Sequence, residues 1–181
     1  MILRRIGIGL VLIAVLASAV WLFAIAPRRD EVSGPASPDS LGTGFKAARL
    51  YFASSDGDGL VSESREMAET HTLHQQVSSL VGELDRGPTG AGVAALPPGT
   101  SVLHAYLDER GLLTLDLSRA FQQGFRGGSS AEYLAVASLV RTLASNVPGV
   151  DRVLIVCGGA PLPSLGGHLP LDRPIEVADL P

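Results

Sequence analysis

The feature that most constrains this chain of 181 residues is one long apolar run near its N-terminus. Residues 6–26 contain no charged side chain and a single hydroxyl group, that of Ser18. At about 1.5 Å rise per residue, a helix of this length crosses a hydrocarbon core of about 30 Å. The run therefore predicts a transmembrane helix over 6–26. Trp21, near its outer end, fits the aromatic belt at a membrane interface.

The charges that flank the run predict its orientation. Residues 1–5 carry the α-amine and two Arg, whereas residues 28–31 combine two Arg with two acidic side chains. The denser positive flank stays inside, so 1–5 is predicted to be a cytoplasmic N-terminus and the chain after Pro27 to lie outside. A cleaved signal peptide is the competing interpretation, but its apolar region is usually about 7–15 residues long. An uncleaved signal anchor is favoured, and no Cys directly follows the run to carry a lipid.

The charge of the remaining chain excludes several function classes. After Pro27 there are 18 acidic and 12 basic side chains, a net charge of −6. Nucleic-acid binding needs a basic surface, so we expect no nucleic-acid partner. Anionic lipid does not attract such a domain. A single Cys excludes an internal disulfide and a Cys-based metal cluster, and we expect no cofactor.

Composition divides the chain after the anchor into two parts. Residues 27–45 are rich in Pro, Gly and Ser and poor in apolar side chains, which predicts a flexible linker. Residues 46–181 are long enough to bury a core, about two-thirds of the unfolded surface for a domain of this size. They are predicted to form one extracytoplasmic domain.

Turn signals and hydrophobic periodicity predict the element order β β α β β α β in this domain. The predicted strands cover 47–53, 60–67, 102–107, 112–118 and 153–157. The two helices begin with capping-box patterns, Thr72 with Gln75 and Ser129 with Glu132. The economical arrangement is an α+β fold in which two helices pack on one face of a small mixed β-sheet.

The strand over 112–118 supplies the candidate interaction surface. Its leucines point one way, into the core, so the alternate residues form a face that is solvated or contacts a partner. The candidate interaction surface is Thr114, Asp116 and Ser118. By the same kind of argument, the second helix is predicted to bury a face that includes Tyr133 and Val136.

Several short motifs occur in a fixed order along the domain. The motif positions are Tyr51, Phe52, Arg65, Gly87, Pro88, Pro97, Gly99, Asp116 and Ser118. In this order and spacing, they make residues 50–174 resemble the GerMN domain of sporulation and spore-germination proteins. Members in spore-formers often carry two copies of the domain and many are lipoproteins, whereas this chain has one copy and no lipid-anchor Cys.

The resemblance implies a non-catalytic extracytoplasmic module with a fold similar to the ring-building motifs of envelope assemblies. It implies no catalytic residue and no cofactor. We therefore expect an interaction module that is held at the cytoplasmic membrane by residues 6–26. Its expected partners are other envelope proteins or a second copy of itself. The family extends beyond spore-formers, so the resemblance alone does not imply a role in germination.

Two other functions are weighed against this one. A domain that binds a cell-wall glycan or peptide needs exposed aromatic side chains, and Tyr51 and Tyr106 are the candidates outside the membrane segment. A hydrolase would need His104 to activate Ser118 beside Asp116. No oxyanion hole accompanies that set, so an ordinary polar sheet face explains it better.

Three weaker patterns have simpler explanations. His71 and His74, with Glu69 nearby, form an incomplete set of metal ligands. Residues 56–59 resemble part of a calcium loop but lack its distal Glu, and Asp and Gly are common turn residues. Cys157 ends an apolar strand, so we interpret it as a buried thiol and predict neither a nucleophile nor a metal site.

Overall fold

The computed structural model describes residues 44–180 of the chain. The predicted cytoplasmic N-terminus (1–5), the predicted transmembrane helix (6–26) and nearly all of the predicted linker (27–45) lie outside these residues. Within 44–180, no helix is long and apolar enough to cross a membrane.

The described residues follow the predicted order of elements, with small additions. The strands are β1 (Phe45–Ala53), β2 (Leu60–Ala68), β3 (Val102–Leu107), β4 (Leu112–Leu117), β5 (Arg152–Cys157), β6 (Ala160–Pro161) and β7 (Ile175–Glu176). The helices are α1 (Leu73–Arg86), α2 (Arg119–Gln123) and α3 (Ser129–Asn146), and a 3-10 turn covers Val177–Asp179. The short helix α2 was not predicted.

The strands form two sheets, whereas the sequence predicted a single mixed sheet. Strands β1 and β2 form an antiparallel pair of their own. The larger sheet has the order β3-β4-β5-β6, with β7 also on β5, and it is mixed because β4 and β5 run parallel while β3 and β4 run antiparallel. Side chains of α3 lie along the second edge of β1, at Arg49 and Tyr51.

One apolar core joins the larger sheet to α1, α3 and β1. The inward residues of β4 are fully buried, as the alternation predicts; they are Leu113, Leu115 and Leu117. The predicted stripe of α1 is also buried; it consists of Val77, Leu80, Val81 and Leu84. Each such side chain contributes about 1.5–3 kcal/mol by leaving water.

The first capping box forms in a modified way. Thr72 accepts a hydrogen bond from the Gln75 N–H at 3.2 Å, which satisfies one free donor at the start of α1. The Gln75 side chain accepts from the His71 N–H at 3.4 Å. Gly87 ends the helix with φ of 84°, a conformation that favours glycine.

The prediction for the start and buried face of α3 is wrong in two respects. Gly128 precedes the helix and offers no side-chain cap, while Glu132 is fully buried and turned away from the helix start. Tyr133 stays 37% exposed. Val136 is fully buried as predicted, and the polar Ser138 and Thr142 are fully buried on α3 as well.

Candidate interaction surface

One face of the larger sheet carries no helix over its centre. Tyr106 of β3 lies opposite Thr114 of β4, and Thr114 lies opposite Leu154 of β5. Tyr106 is 68% exposed, while Thr114 and Leu154 are half-buried. We call this row of three side chains the open face. It combines an aromatic ring, a methyl-bearing hydroxyl and an aliphatic side chain without a formal charge.

Asp116 does not belong to a solvated surface, although the alternation predicts that it does. It is only 8% exposed, and its Oδ1 accepts a hydrogen bond from the Gly159 N–H at 3.0 Å. Asp116 therefore fixes the turn between β5 and β6. His104 lies opposite Asp116 in the β3–β4 register, yet among residues 44–180 no hydrogen bond joins His104 to Asp116 or to Ser118.

The half-buried Ser118 also makes its hydrogen bonds within the domain. Its Oγ accepts from the Ser101 N–H at 3.1 Å and donates to the Gly99 carbonyl oxygen at 3.3 Å. Of the three residues in the candidate interaction surface, Thr114 is thus the one on the open face. Asp116 and Ser118 hold neighbouring loops in place.

Strand β3 forms the outer edge of the larger sheet, next to the open face. The Asp108 N–H donates to the Leu112 carbonyl oxygen at 3.1 Å. Backbone groups alternate in an antiparallel ladder, so His104 and Tyr106 pair with β4 while Ala105 points its backbone N–H and C=O away from it. Within residues 44–180, no hydrogen bond outside the ladder reaches the backbone of Ala105.

The second edge of β1 is occupied by polar side chains of α3. The Ser138 hydroxyl donates to the Tyr51 carbonyl oxygen at 2.5 Å, and Thr142 Oγ1 accepts from the Tyr51 N–H at 3.0 Å. Asn146 accepts from the Arg49 N–H at 2.9 Å and donates to the Arg49 carbonyl oxygen at 2.7 Å. We call Ser138, Thr142 and Asn146 the polar stripe. It satisfies backbone groups that a neighbouring strand would otherwise pair.

Three motif positions meet around Arg65. Its guanidinium lies 2.7 Å from Glu63, 2.8 Å from Glu83 and 2.7 Å from the Gly87 carbonyl oxygen. It also lies 5.4 Å from the centre of the Phe52 ring, within cation–π range. This cluster ties β2 to the end of α1, which explains Phe52, Arg65 and Gly87 as structural residues.

The carboxylate of Glu63 extends the same cluster into the following loop. It accepts from the Thr89 hydroxyl at 2.5 Å and from the Gly90 N–H at 3.1 Å. The hydrogen bond from the Thr89 hydroxyl lowers the pKa of Glu63 most, and the one from Arg65 comes second. With the backbone donors of Gly90 and Thr89, they bring this pKa to about 2. The loop after Pro88 is thereby held against β2.

The motif positions Pro97 and Gly99 shape the loop before β3. Asp85 at the end of α1 accepts from the N–H groups of Gly99 at 2.8 Å and Thr100 at 3.2 Å. The Thr100 hydroxyl donates to the Pro97 carbonyl oxygen at 2.5 Å. Gly99 has φ of 80°, which other residues rarely adopt. The motif therefore sets the entry of the chain into β3.

A groove of about 720 Å³ lies on a different part of the surface from the open face. Its walls are the β1–β2 turn, the loop over 93–98 and the start of α3. Phe125, Arg126 and Leu134 line it, and an adjoining cleft includes Tyr133. The glycan candidates Tyr51 and Tyr106 line neither of these spaces.

The buried Glu132 holds a distant loop in place, a role that its sequence pattern did not predict. Its carboxylate accepts hydrogen bonds from the N–H groups of Leu165 at 2.9 Å, Gly166 at 2.8 Å and His168 at 2.9 Å. His168 Nδ1 lies 3.1 Å from Oε2. Burial by itself raises the pKa of Glu132, but the backbone donors of Gly166 and its neighbours outweigh burial and lower that pKa. The carboxylate pins the loop between β6 and β7.

The structure also places the candidate metal ligands, the turn that resembles a calcium loop, and the single cysteine. His71 borders a cleft with Glu69, and His74 is not part of its lining. No group of three or more His, Cys, Asp or Glu in the described part of the chain is arranged to hold a metal ion. Asp56 accepts from the Ser54 hydroxyl at 2.5 Å within its turn. Cys157 is buried as predicted, and burial raises the pKa of its thiol.

The fold and these loop ties define an α+β domain with two sheets, and known proteins share this arrangement. The tandem GerMN domains of the sporulation protein GerM from Bacillus subtilis match with a TM-score of 0.60 at 19% identity, over 74% of this chain and 47% of that one. The first GerMN domain of the same protein matches with a TM-score of 0.56 at 20% identity, over 74% of this chain and 99% of that one.

A candidate lipoprotein from Clostridium perfringens also matches, with a TM-score of 0.54 at 20% identity, over 76% of this chain and 91% of that one. At these identities, the likenesses show the fold. The chain spans about half of the tandem GerM structure, consistent with one copy of the domain. No curated protein matches the sequence.

The sequence also matches the family described as Germane: Sporulation and spore germination, over residues 49–163. This range covers more than half of the chain. The protein belongs to this family of GerMN-domain proteins.

Proposed function

We propose that this protein is a non-catalytic interaction module that acts outside the cytoplasm in an envelope assembly or one related to sporulation or germination. In this proposal, residues 6–26 form a single-pass anchor in the cytoplasmic membrane and 27–45 form a tether. The apolar run and its flanking charges support the anchor. Family membership and the GerMN fold support the assembly role.

The open face is the observation that carries the interaction role. Tyr106 exposes most of its ring beside Thr114 and Leu154, and these three have no formal charge to desolvate. Aromatic side chains are enriched at the centres of protein interfaces. Tethering to one membrane raises the local concentration of the partners, so a small contact suffices.

Photocrosslinking from the open face tests this role. A photoreactive amino acid replaces Thr114 or Tyr106 in the full chain in intact cells, and His74, an exposed residue on α1, serves as the matched control site. We expect defined protein adducts from the two open-face sites and few from His74. Equal adducts from all three sites, or none from the open face, would contradict the proposal.

The groove favours a second function, binding of a cell-wall glycan or peptide. Phe125 and Tyr133 offer aromatic rings, and Arg126 offers a cation for a carboxylate. Retention of the full chain on purified peptidoglycan, abolished by Tyr133→Ala but not by Tyr106→Ala, would favour this function over the first. Retention that neither variant changes would count against the groove.

A further inference from the structure

The edges of the two sheets are protected unequally. The outer edge of β2 carries the charged side chains of Glu63, Arg65 and Glu66 along its strand. The outer edge of β5 is paired with β6 and β7, and the second edge of β1 is covered by the polar stripe. Charges, short covering strands and side-chain caps are the usual ways to prevent edge-to-edge pairing.

Strand β3 has few of these protections in the part of the chain that the structure describes. Its six residues, 102–107, include no Lys, Arg, Asp, Glu or Pro. An irregularity lies between Val102 and His104, which leaves the pairing from His104 onward regular. The alternation that turns the backbone of Ala105 outward does the same for Leu107, whereas Leu103 lies inside the irregularity. An exposed and uncharged edge of this kind accepts another strand.

We propose that two copies of this chain pair through their β3 strands, antiparallel across a two-fold axis, with Ala105 opposite Ala105 of the second copy. This inference rests on the proposed function, because it names the partner of the module as the module itself. The register follows from the outward groups. A centre at Ala105 lets its outward N–H and C=O bond to the same groups of the second copy, and it sets the exposed His104 opposite the exposed Tyr106.

Charge and symmetry favour a second copy as the occupant of this edge. Residues 44–180 carry 15 acidic and 10 basic side chains, so two domains repel each other over most of their surfaces. Strand β3 is an uncharged site where two acidic domains approach without opposing like charges. A two-fold contact uses the same strand twice, as closed dimers do. Anchoring in one membrane keeps both strands at high local concentration.

The register predicts which side chains meet. His104 lies opposite Tyr106 of the second copy, at a pair without backbone hydrogen bonds, where Cα atoms are about 4.5 Å apart. His104 and His104 of the second copy are diagonal neighbours, about 7–8 Å apart. A disulfide needs Cα atoms about 4.4–6.8 Å apart, so the first pair can be bridged and the second cannot.

Disulfide trapping of the full chain in its membrane tests the register. One tagged chain carries His104→Cys, a second chain with a different tag carries Tyr106→Cys, and the two are produced together and mildly oxidised. We expect a disulfide-linked dimer with both tags at a yield at least tenfold above that of either variant alone. The unsubstituted chain, whose Cys157 is buried, is the background control.

The outcomes separate this inference from the proposed function. Equal yields in the mixed and single-variant samples would reflect random collision and would overturn the β3 pairing. No mixed dimer, or a disulfide adduct to a foreign protein, would overturn it as well. If photoadducts from Thr114 persist in those cases, the interaction module stands and only its β3 contact is wrong. Both substituted side chains are exposed, and arrival of each variant in the membrane verifies folding.

Discussion

Strands β1 and β3 each have one neighbouring strand, and they differ in what lies on the other side. At β1, the polar stripe of α3 satisfies the backbone of Arg49 and Tyr51. At β3, the backbone of Ala105 faces outward without a hydrogen-bond partner in residues 44–180. An edge closed by the chain itself contributes to stability, whereas an edge left open is available to a partner.

Strand β5 adds an intermediate case, because a loop of the same chain covers its outer edge. Strands β6 and β7 pair with β5, and Glu132 holds the segment between them through three backbone N–H groups. The comparison therefore predicts large stability effects at the closed edges and small ones at the open edge. Urea unfolding of the full chain in detergent, read by labelling of the buried Cys157 thiol, measures these effects in the domain itself.

The largest effect is expected from Glu132→Gln. The amide leaves one of the buried N–H groups facing another donor, and losing a buried charged acceptor costs about 3 kcal/mol of unfolding free energy. Glu176→Gln, on an exposed side chain of β7, is the matched control. Equal midpoints for the two variants would mean that the loop is held by other contacts.

The same carboxylate predicts a dependence on pH. The pKa of Glu132 lies below its ordinary value of 4.5 in the folded state, so its contribution is present above that value and is lost as the pH falls through the lowered pKa. We expect the wild type to lose more unfolding free energy than Glu132→Gln on acidification below about pH 4.5. Parallel pH curves for the two proteins would contradict this.

A smaller loss is expected when the closed edge of β1 is opened. Thr142→Val keeps the shape of a fully buried side chain but leaves the Tyr51 N–H without an acceptor, at a cost of about 1–3 kcal/mol. Thr142→Ser retains the hydroxyl and serves as the control. If the serine variant were the less stable of the two, the loss would come from the methyl group and the edge argument would fail.

The smallest effect on stability is expected at the open edge. His104→Glu combined with Tyr106→Glu changes two exposed positions and should lower unfolding free energy by only about 0.2–1 kcal/mol, because the carboxylate at 104 opposes Asp116 of β4. The proposed dimer should be lost, because the two introduced carboxylates would oppose each other across the two-fold axis. His104→Lys combined with Tyr106→Glu should restore it through opposite charges. Crosslinked dimer yield in cells distinguishes the two double variants.

The sequence predicted the elements whose signals are local. The Thr72 cap and the buried stripe of α1 depend on residues a few positions apart, and the β3–β4 hairpin depends on alternation around a short loop. The separation into two sheets depends on side chains of α3 that meet β1 about 90 positions away. The spacing of Ser138, Thr142 and Asn146, four residues each, was the one signal that could have revealed it.

The candidate surface was predicted less well, for a similar reason. Alternation placed Thr114, Asp116 and Ser118 together on one outward face, yet the turn at Gly159 covers Asp116. The role of Glu132 depends on the backbone of Leu165, 33 residues later. A capping box and a buried carboxylate that binds a distant loop can both use Glu, so the local sequence pattern alone cannot distinguish the two roles.

Strand β1 also determines how the domain bears mechanical load. It begins at Phe45, so a pull transmitted along the chain from the residues before it enters the domain through this strand. β1 is held by nine register pairs with β2 on one side and by the polar stripe on the other. A force along the strand shears these bonds together instead of peeling them one at a time. The first strand of the described domain is thus the one held on both sides.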